Sequence, residues 1–253
     1  MSYPKPSTFD KPDNLPGLRS LQHLIIAALI TAGLYFVPYL GWVTYPIRLF
    51  VTFIHEGAHA LAALITGGHV DSLVIRPDGS GVTWSAGGFG LLISSAGYLG
   101  ATLFGALLVA ALRRGIPAKS LLLATGVLIG LITIGWVRPP NALEVGNFGL
   151  SVVAGIALSA ALVIGGLRLP ERPATFAVSF LGVQCILNAL FDLNTLLTIS
   201  VAGVTQSDAG NMARMTLIPA PVWAILWIGV AAFMLWRVVL VPAFRDARQA
   251  ATV

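Results

Sequence analysis

Long apolar segments recur along almost the whole chain and are separated by short polar connections. A helix needs about 20 apolar residues to cross the hydrocarbon core of a bilayer. The pattern therefore predicts an all-α polytopic membrane protein with six or seven transmembrane helices, whose candidate segments are residues 21–40, 45–65, 89–112, 120–137, 148–167, 175–199 and 221–239. Residues 21–241 are predicted to form a single integral-membrane domain, between a polar N-terminal tail (1–20) and a polar C-terminal tail (242–253).

One stretch departs from this helical pattern. Residues 69–86 alternate between polar and apolar positions on both sides of the cluster Pro77-Asp78-Gly79. Such alternation around a turn cluster predicts a short β-hairpin, which its two apolar neighbours place at the membrane. Because lipid does not tolerate an open strand edge, the hairpin must be covered by protein, face a water-filled cavity or receive another strand.

The composition supports a membrane protein. Hydrophobic residues make up 57% of the chain and charged residues only 10%, whereas soluble domains carry about 25% charged residues. This excludes a soluble enzyme, a disordered protein and a nucleic-acid binder. The 15 Lys and Arg residues are scattered singly or in pairs, as in the loops of membrane proteins. The only cysteine, Cys185, excludes an internal disulfide framework and a Cys-rich zinc site.

A metal-binding pattern lies inside an apolar segment. His55-Glu56-Gly57-Ala58-His59 has the spacing H-E-x-x-H, and residues four apart share one face of a helix. The two imidazoles can therefore bind one Zn²⁺ ion together, and Glu56 can take a proton from a water on the metal and pass it to the leaving amine. The same pattern also occurs by chance on surface helices. In a membrane, however, charged groups cost at least about 2.5–3.5 kcal/mol each, which favours a bound metal as their partner.

Catalytic zinc normally has three protein ligands and a water, so a third ligand is required. Asp192 is the first choice because it lies in an apolar segment, with Asn188 and Asn194 near enough to hold its carboxylate by hydrogen bonds. Its alternative role is a polar contact between helices. Asp208 is the reserve candidate for the third ligand. SDAGNMARM predicts a helix cap followed by a short helix, and capping alone would explain an aspartate at this position.

Two other ionisable residues are weaker candidates for the third ligand. His69 lies ten residues beyond His59, on the predicted hairpin, and this spacing does not fit the metzincin pattern. Glu144 lies in a loop rich in proline and asparagine, where we expect it to be solvated.

These features together resemble a known family. A transmembrane HEGAH, a hairpin containing PDGSG, a glycine-rich span and a distant intramembrane aspartate are similar to the site-2 protease family of intramembrane zinc metalloproteases, in particular its compact bacterial B-like branch. The resemblance covers residues 45–227. It implies that His55, His59 and Asp192 hold zinc and that Glu56 is the general base. It also implies a multi-pass protein of a bacterial plasma membrane whose partners are the lipid bilayer and a membrane protein substrate.

The predicted hairpin also indicates how a substrate would bind. A transmembrane substrate must unwind locally before its peptide bonds can be cleaved, and the hairpin offers an edge to which an extended segment can add as a strand. The predicted substrate-binding residues are Val74, Gly79 and Gly81 in the hairpin and Gly97 in the glycine-rich span.

Two departures from the family pattern keep other functions open. Asp192 lies in FDLN rather than in LDG or NPDG, and Ala96–Gly100 reads AGYLG, without the Pro and Asn of AGPxxN. A degenerate relative that binds metal as a non-catalytic membrane scaffold is the first alternative. A small proton- or cation-coupled transporter using Glu56 and Asp192 is the second, and the absence of visible internal repeats counts against it.

Overall fold

The structure, a computed structural model, describes residues 41–201 and 207–242 together with the isolated positions 26, 33, 244 and 245. Within the helix that ends at Val201, the side chains of residues 188–201 lie outside this description. The predicted first membrane helix, residues 21–40, also lies outside this description, except at positions 26 and 33.

The described part of the chain is mainly helical. Its α-helices, in chain order, are α1 (Gly41–Ile65), α2 (Gly90–Arg113), α3 (Ala118–Trp136), α4 (Val145–Arg168), α5 (Glu171–Val201), α6 (Asp208–Thr216) and α7 (Ala220–Met234). A 3-10 turn (Ala142–Glu144) precedes α4, and a π-helical turn (Leu235–Leu240) follows α7.

Five described segments are long and apolar enough to cross a membrane: Thr44–Ile65, Gly90–Arg113, Ala118–Trp136, Val145–Arg168 and Ala220–Val238. They coincide with five of the seven predicted segments. The predicted segment at residues 175–199 lies within one continuous helix, α5. The structure thus confirms the prediction of a polytopic helical membrane protein.

The helices approach one another closely where small residues meet. A Cβ added to Gly100 of α2 would lie 2.5 Å from the Cβ of Ala58 on α1. At the contact between α3 and α4, the Ser159 hydroxyl donates a hydrogen bond of 2.8 Å to the carbonyl oxygen of Gly126. Small residues of this kind allow membrane helices to pack with their backbones close together, and here they bring α1 close to α2 and α3 close to α4.

The predicted hairpin is present. Strands β1 (His69–Ile75) and β2 (Gly81–Ala86) pair antiparallel, from His69 opposite Ala86 to Ile75 opposite Gly81. The turn requires Gly79, whose φ of +81° is strained for other residues. The Asp78 carboxylate accepts hydrogen bonds from the backbone and hydroxyl of Ser80, and these bonds hold the pKa of Asp78 below its usual value.

Side chains of α1 hold the hairpin turn. The Tyr45 hydroxyl donates to the carbonyl oxygen of Pro77 at 3.0 Å, and the Thr52 hydroxyl donates to that of Gly79 at 2.7 Å. The hairpin therefore lies along the helix that carries H-E-x-x-H.

The two outer edges of the hairpin differ. On β1, Leu73 forms a parallel bridge with Val137, and the Ile75 amide donates to the Ser151 hydroxyl at 2.6 Å. No backbone group of another segment pairs with the outer edge of β2 in the part of the chain that the structure describes. Within the described residues, other segments of the protein thus cover the outer edge of β1 and leave the outer edge of β2 available for pairing with a further strand.

Candidate metal centre

The two histidines of H-E-x-x-H lie one turn apart on α1, and their Nε2 atoms are 3.1 Å from each other. The Nδ1 atom of His59 lies 2.6 Å from the carbonyl oxygen of Ile93 on α2. A carbonyl oxygen can only accept, so Nδ1 donates this hydrogen bond, which leaves Nε2 as the nitrogen that could bind a metal. Metal-binding histidines are oriented by such a hydrogen bond from the second ring nitrogen.

The third group at this point is Asp208, the first residue of α6. Its Oδ2 atom lies 3.4 Å from His55 Nε2 and 3.3 Å from His59 Nε2. The helix cap that the sequence predicted at this position is Ser207, whose hydroxyl accepts a hydrogen bond from the Gly210 amide. Because Ser207 caps the helix, the Asp208 carboxylate is available to the histidines.

Opposing influences act on the Asp208 carboxyl. Burial alone would raise its pKa, but the charge of His59 and the hydrogen bonds with both histidines outweigh burial and hold the pKa below its usual value. Asp208 is therefore ionised, as a carboxylate must be to bind a metal.

The arrangement of the three groups fits a tetrahedral metal. Zinc–nitrogen and zinc–oxygen bonds of about 2.0–2.1 Å place the ligand atoms of a tetrahedron about 3.3–3.4 Å apart. The three observed separations, 3.1, 3.3 and 3.4 Å, are close to this value. Gly97 adds to the fit, because a Cβ at this position would overlap the Nε2 atoms of both histidines. The donor set and the space beside it therefore suit one metal ion.

Aromatic residues support the centre from the side of α7. The ring of His55 contacts Tyr98 edge to face, with ring centroids 4.7 Å apart. Tyr98 in turn stacks on Trp227, at a centroid distance of 5.7 Å. Trp227 is fully buried in a cluster that includes Met212 of α6. This packing anchors α6, and with it Asp208, against the histidines.

Glu56 is buried, with 4% of its surface exposed, and contacts β2. Its Oε2 atom accepts a hydrogen bond of 2.7 Å from the Thr83 hydroxyl. A Cβ on Gly81 would lie 2.6 Å from the Cγ of Glu56 and 2.7 Å from its Oε1. Strand β2 thus contacts the Glu56 side chain through two alternate residues, Gly81 and Thr83. Position 81 has to be glycine for the strand to come this close.

The remaining predicted site residues lie elsewhere or outside the description. Asp192 belongs to α5, but its side chain and those of Asn188 and Asn194 are outside the described part. Val74 is fully buried in β1, the strand whose outer edge is covered. Gly79 lies in the turn against Arg48.

The two weaker candidates are both outside the metal centre. His69 is exposed and pairs with Asp71 at 3.2 Å. Glu144, expected in a solvated loop, lies in the 3-10 turn before α4. Only 13% of its side chain is exposed, and it binds Arg76 at 3.1 Å and Asn147 at 2.5 Å, thereby linking the hairpin to α4.

Sequence reasoning missed two residues of the site. Thr83 lies in a predicted strand, but the alternating pattern does not tell which helix residue its side chain meets. Ser207 directly precedes Asp208, and Ser and Asp are about equally preferred as helix caps. The sequence therefore does not tell which of the two caps α6 and which is available to the histidines.

Comparison with known proteins gives one finding. A family model described as Peptidase M50B-like matches residues 25–238. No curated protein matches the chain, and no solved structure does.

Proposed function

Since the chain belongs to the Peptidase M50B-like family, within the site-2 proteases, we propose that it is an intramembrane zinc metallopeptidase. It would hydrolyse peptide bonds in membrane-embedded or membrane-proximal segments of other proteins. The observation that carries this proposal is the convergence of His55, His59 and Asp208 on one point, next to a buried glutamate in an apolar helix. His55, His59 and Asp208 would hold the metal, which leaves Asp192 without a required role in the ligand set.

The metal and Glu56 would divide the chemistry. A zinc ion at such a site acts as a Lewis acid, which makes water acidic enough to lose a proton near neutral pH. The Glu56 carboxylate would accept that proton and return it to the leaving amine. The hydrogen bond from Thr83 and the close approach of Gly81 support this role, because they hold the carboxylate in one orientation.

The substrate would bind as an added strand. Hydrolysis requires an unwound segment, and the backbone groups of that segment need hydrogen-bond partners inside the membrane. The outer edge of β2 offers such partners and belongs to the strand that contacts Glu56. A segment that pairs there would run past the general base. Of the predicted substrate-binding residues, Gly81 on β2 suits this position best.

The proposal predicts metal-dependent cleavage. The protein is reconstituted in lipid vesicles with a pool of single-span peptides, and products are identified by mass spectrometry. We expect cleavage that stops when a chelator removes the metal and returns when zinc is added, because the metal would supply the Lewis acid that activates water. Cleavage that persists in metal-free protein would contradict the proposal. A protein that binds zinc and cleaves no peptide in the pool would favour the non-catalytic scaffold.

Replacing Thr83 with valine tests how Glu56 is positioned. Valine keeps the shape of the side chain but loses the hydroxyl that donates to the carboxylate. We expect kcat to fall about tenfold, the value of one hydrogen bond to a charged group, with KM and zinc content unchanged. Thr83→Ser keeps the hydroxyl and should restore kcat. A role in packing alone would instead give the serine variant the larger defect, since it lacks the methyl group.

A further inference from the structure

A second feature of the structure lies beside the metal centre. A cavity of about 270 Å³ opens between the end of β2, the start of α2 and helix α6. Its polar lining consists of Ser85 from β2, Ser94 from α2, and Asn211 and Arg214 from α6. None of the described residues that line it carries a carboxylate.

The cavity is rigidly connected to the metal centre. Ile93, whose carbonyl oxygen holds His59, also lines the cavity. Helix α6 begins at Asp208 and brings Asn211 and Arg214 to the cavity within its next two turns. Where α6 meets α2, a Cβ on Gly90 would lie 2.6 Å from the Sδ of Met215, so the two helices are closely packed there. A ligand in the cavity would therefore have a fixed position relative to the metal.

Strand β2 connects the cavity with the general base. Alternate residues of a strand face the same side, so Thr83, which contacts Glu56, and Ser85, which lines the cavity, point in the same direction. Two residues along a strand cover about 6.6 Å. A substrate segment paired with β2 and cleaved near Glu56 would thus reach the cavity about two residues from the scissile bond.

The chemistry of the cavity selects one class of side chain. The guanidinium of Arg214 donates a hydrogen bond to Oδ1 of Asn211, which orients it, and a guanidinium carries five N–H donors in all. A guanidinium, an amide and two hydroxyls together favour a carboxylate. We propose that this cavity binds an acidic side chain of the substrate, about two residues from the scissile bond, with Arg214 as the specificity-determining residue. This inference rests on the proposed peptidase function.

The test uses membrane-spanning peptides that differ at one position. In phosphatidylcholine vesicles, glutamate, glutamine or lysine is placed two residues from the mapped cleavage bond, on each side in turn. On one side, the wild type should cleave the glutamate peptide about three- to tenfold faster than the glutamine peptide, in keeping with a partly exposed charged hydrogen bond. Arg214→Gln should abolish this difference, and Arg214→Glu should reverse it in favour of lysine. Arg138→Gln, at an exposed arginine outside the cavity, is the control and should keep the glutamate preference.

A binding measurement separates recognition from cleavage. Zinc-loaded Glu56→Gln protein should bind the glutamate peptide about three- to tenfold more tightly than the glutamine peptide, and adding Arg214→Gln should remove the difference. Equal cleavage of the glutamate and glutamine peptides by the wild type, or an acidic preference that survives in Arg214→Gln, would overturn the inference and leave the peptidase function standing. Zinc-loaded wild type that cleaves none of the peptides would overturn the proposed function, and this inference with it.

Discussion

Replacing Glu56 with glutamine should lower the rate of peptide cleavage by about 10²- to 10⁴-fold, the usual contribution of a general base. Glutamine has the size of glutamate, and its amide oxygen can still accept the hydrogen bond from Thr83. It cannot accept a proton from water. Because Glu56 is not one of the three groups that converge on the metal position, zinc content should remain that of the wild type. Zinc is counted by mass spectrometry on the same vesicles in which peptide cleavage is measured.

The control for this experiment is a partly buried polar residue that lies away from the metal centre. Ser159 on α4 donates a hydrogen bond to Gly126, and Ser159→Ala should cleave peptides at the wild-type rate if the protein folds. Full activity of Glu56→Gln with zinc bound would remove Glu56 from the mechanism. Loss of zinc together with activity would instead give Glu56 a role in holding the metal.

The second large effect is expected at Asp208. Removing its carboxylate in Asp208→Ala leaves two imidazoles to hold the ion, and zinc affinity should fall by more than about a hundredfold. Loss of a group that only orients a ligand already costs about 10- to 100-fold. The affinity is measured by competition with a chromogenic zinc chelator in detergent, and zinc content is counted after dialysis.

Asp192→Ala is the comparison that makes this experiment decisive. The sequence alone favours Asp192 as the third ligand, whereas the structure brings Asp208 to the histidines. Asp192→Ala should therefore keep zinc at the wild-type level. If zinc is lost in Asp192→Ala and retained in Asp208→Ala, the ligand set proposed here is wrong and the sequence-based choice is correct.

Much of the fold could be predicted from local pattern. Apolar segments of about 20 residues predict membrane helices whatever their neighbours, and Pro77-Asp78-Gly79 marks a turn by its own backbone preferences. The spacing of His55 and His59 predicts their common face, because the geometry of one helix fixes it. Each of these inferences needs only residues that are close together in the chain.

The rest depends on contacts between distant segments. Asp208 lies about 150 residues beyond the histidines, and it reaches them because Trp227 and Met212 pack α6 and α7 together beside Tyr98. No periodicity encodes that packing. Likewise, the open edge of the hairpin is β2 because Val137 and Ser151 cover β1. The sequence predicts a hairpin but not which of its strands remains available.

The most direct test of this account is X-ray absorption at the zinc edge on purified wild-type protein supplied with zinc. We predict about one zinc per chain, with two imidazoles and only oxygen atoms as further ligands, at about 2.0–2.2 Å. Protein that stays free of metal after zinc is supplied, or zinc bound by sulfur or by a single imidazole, would contradict the metal centre formed by His55, His59 and Asp208.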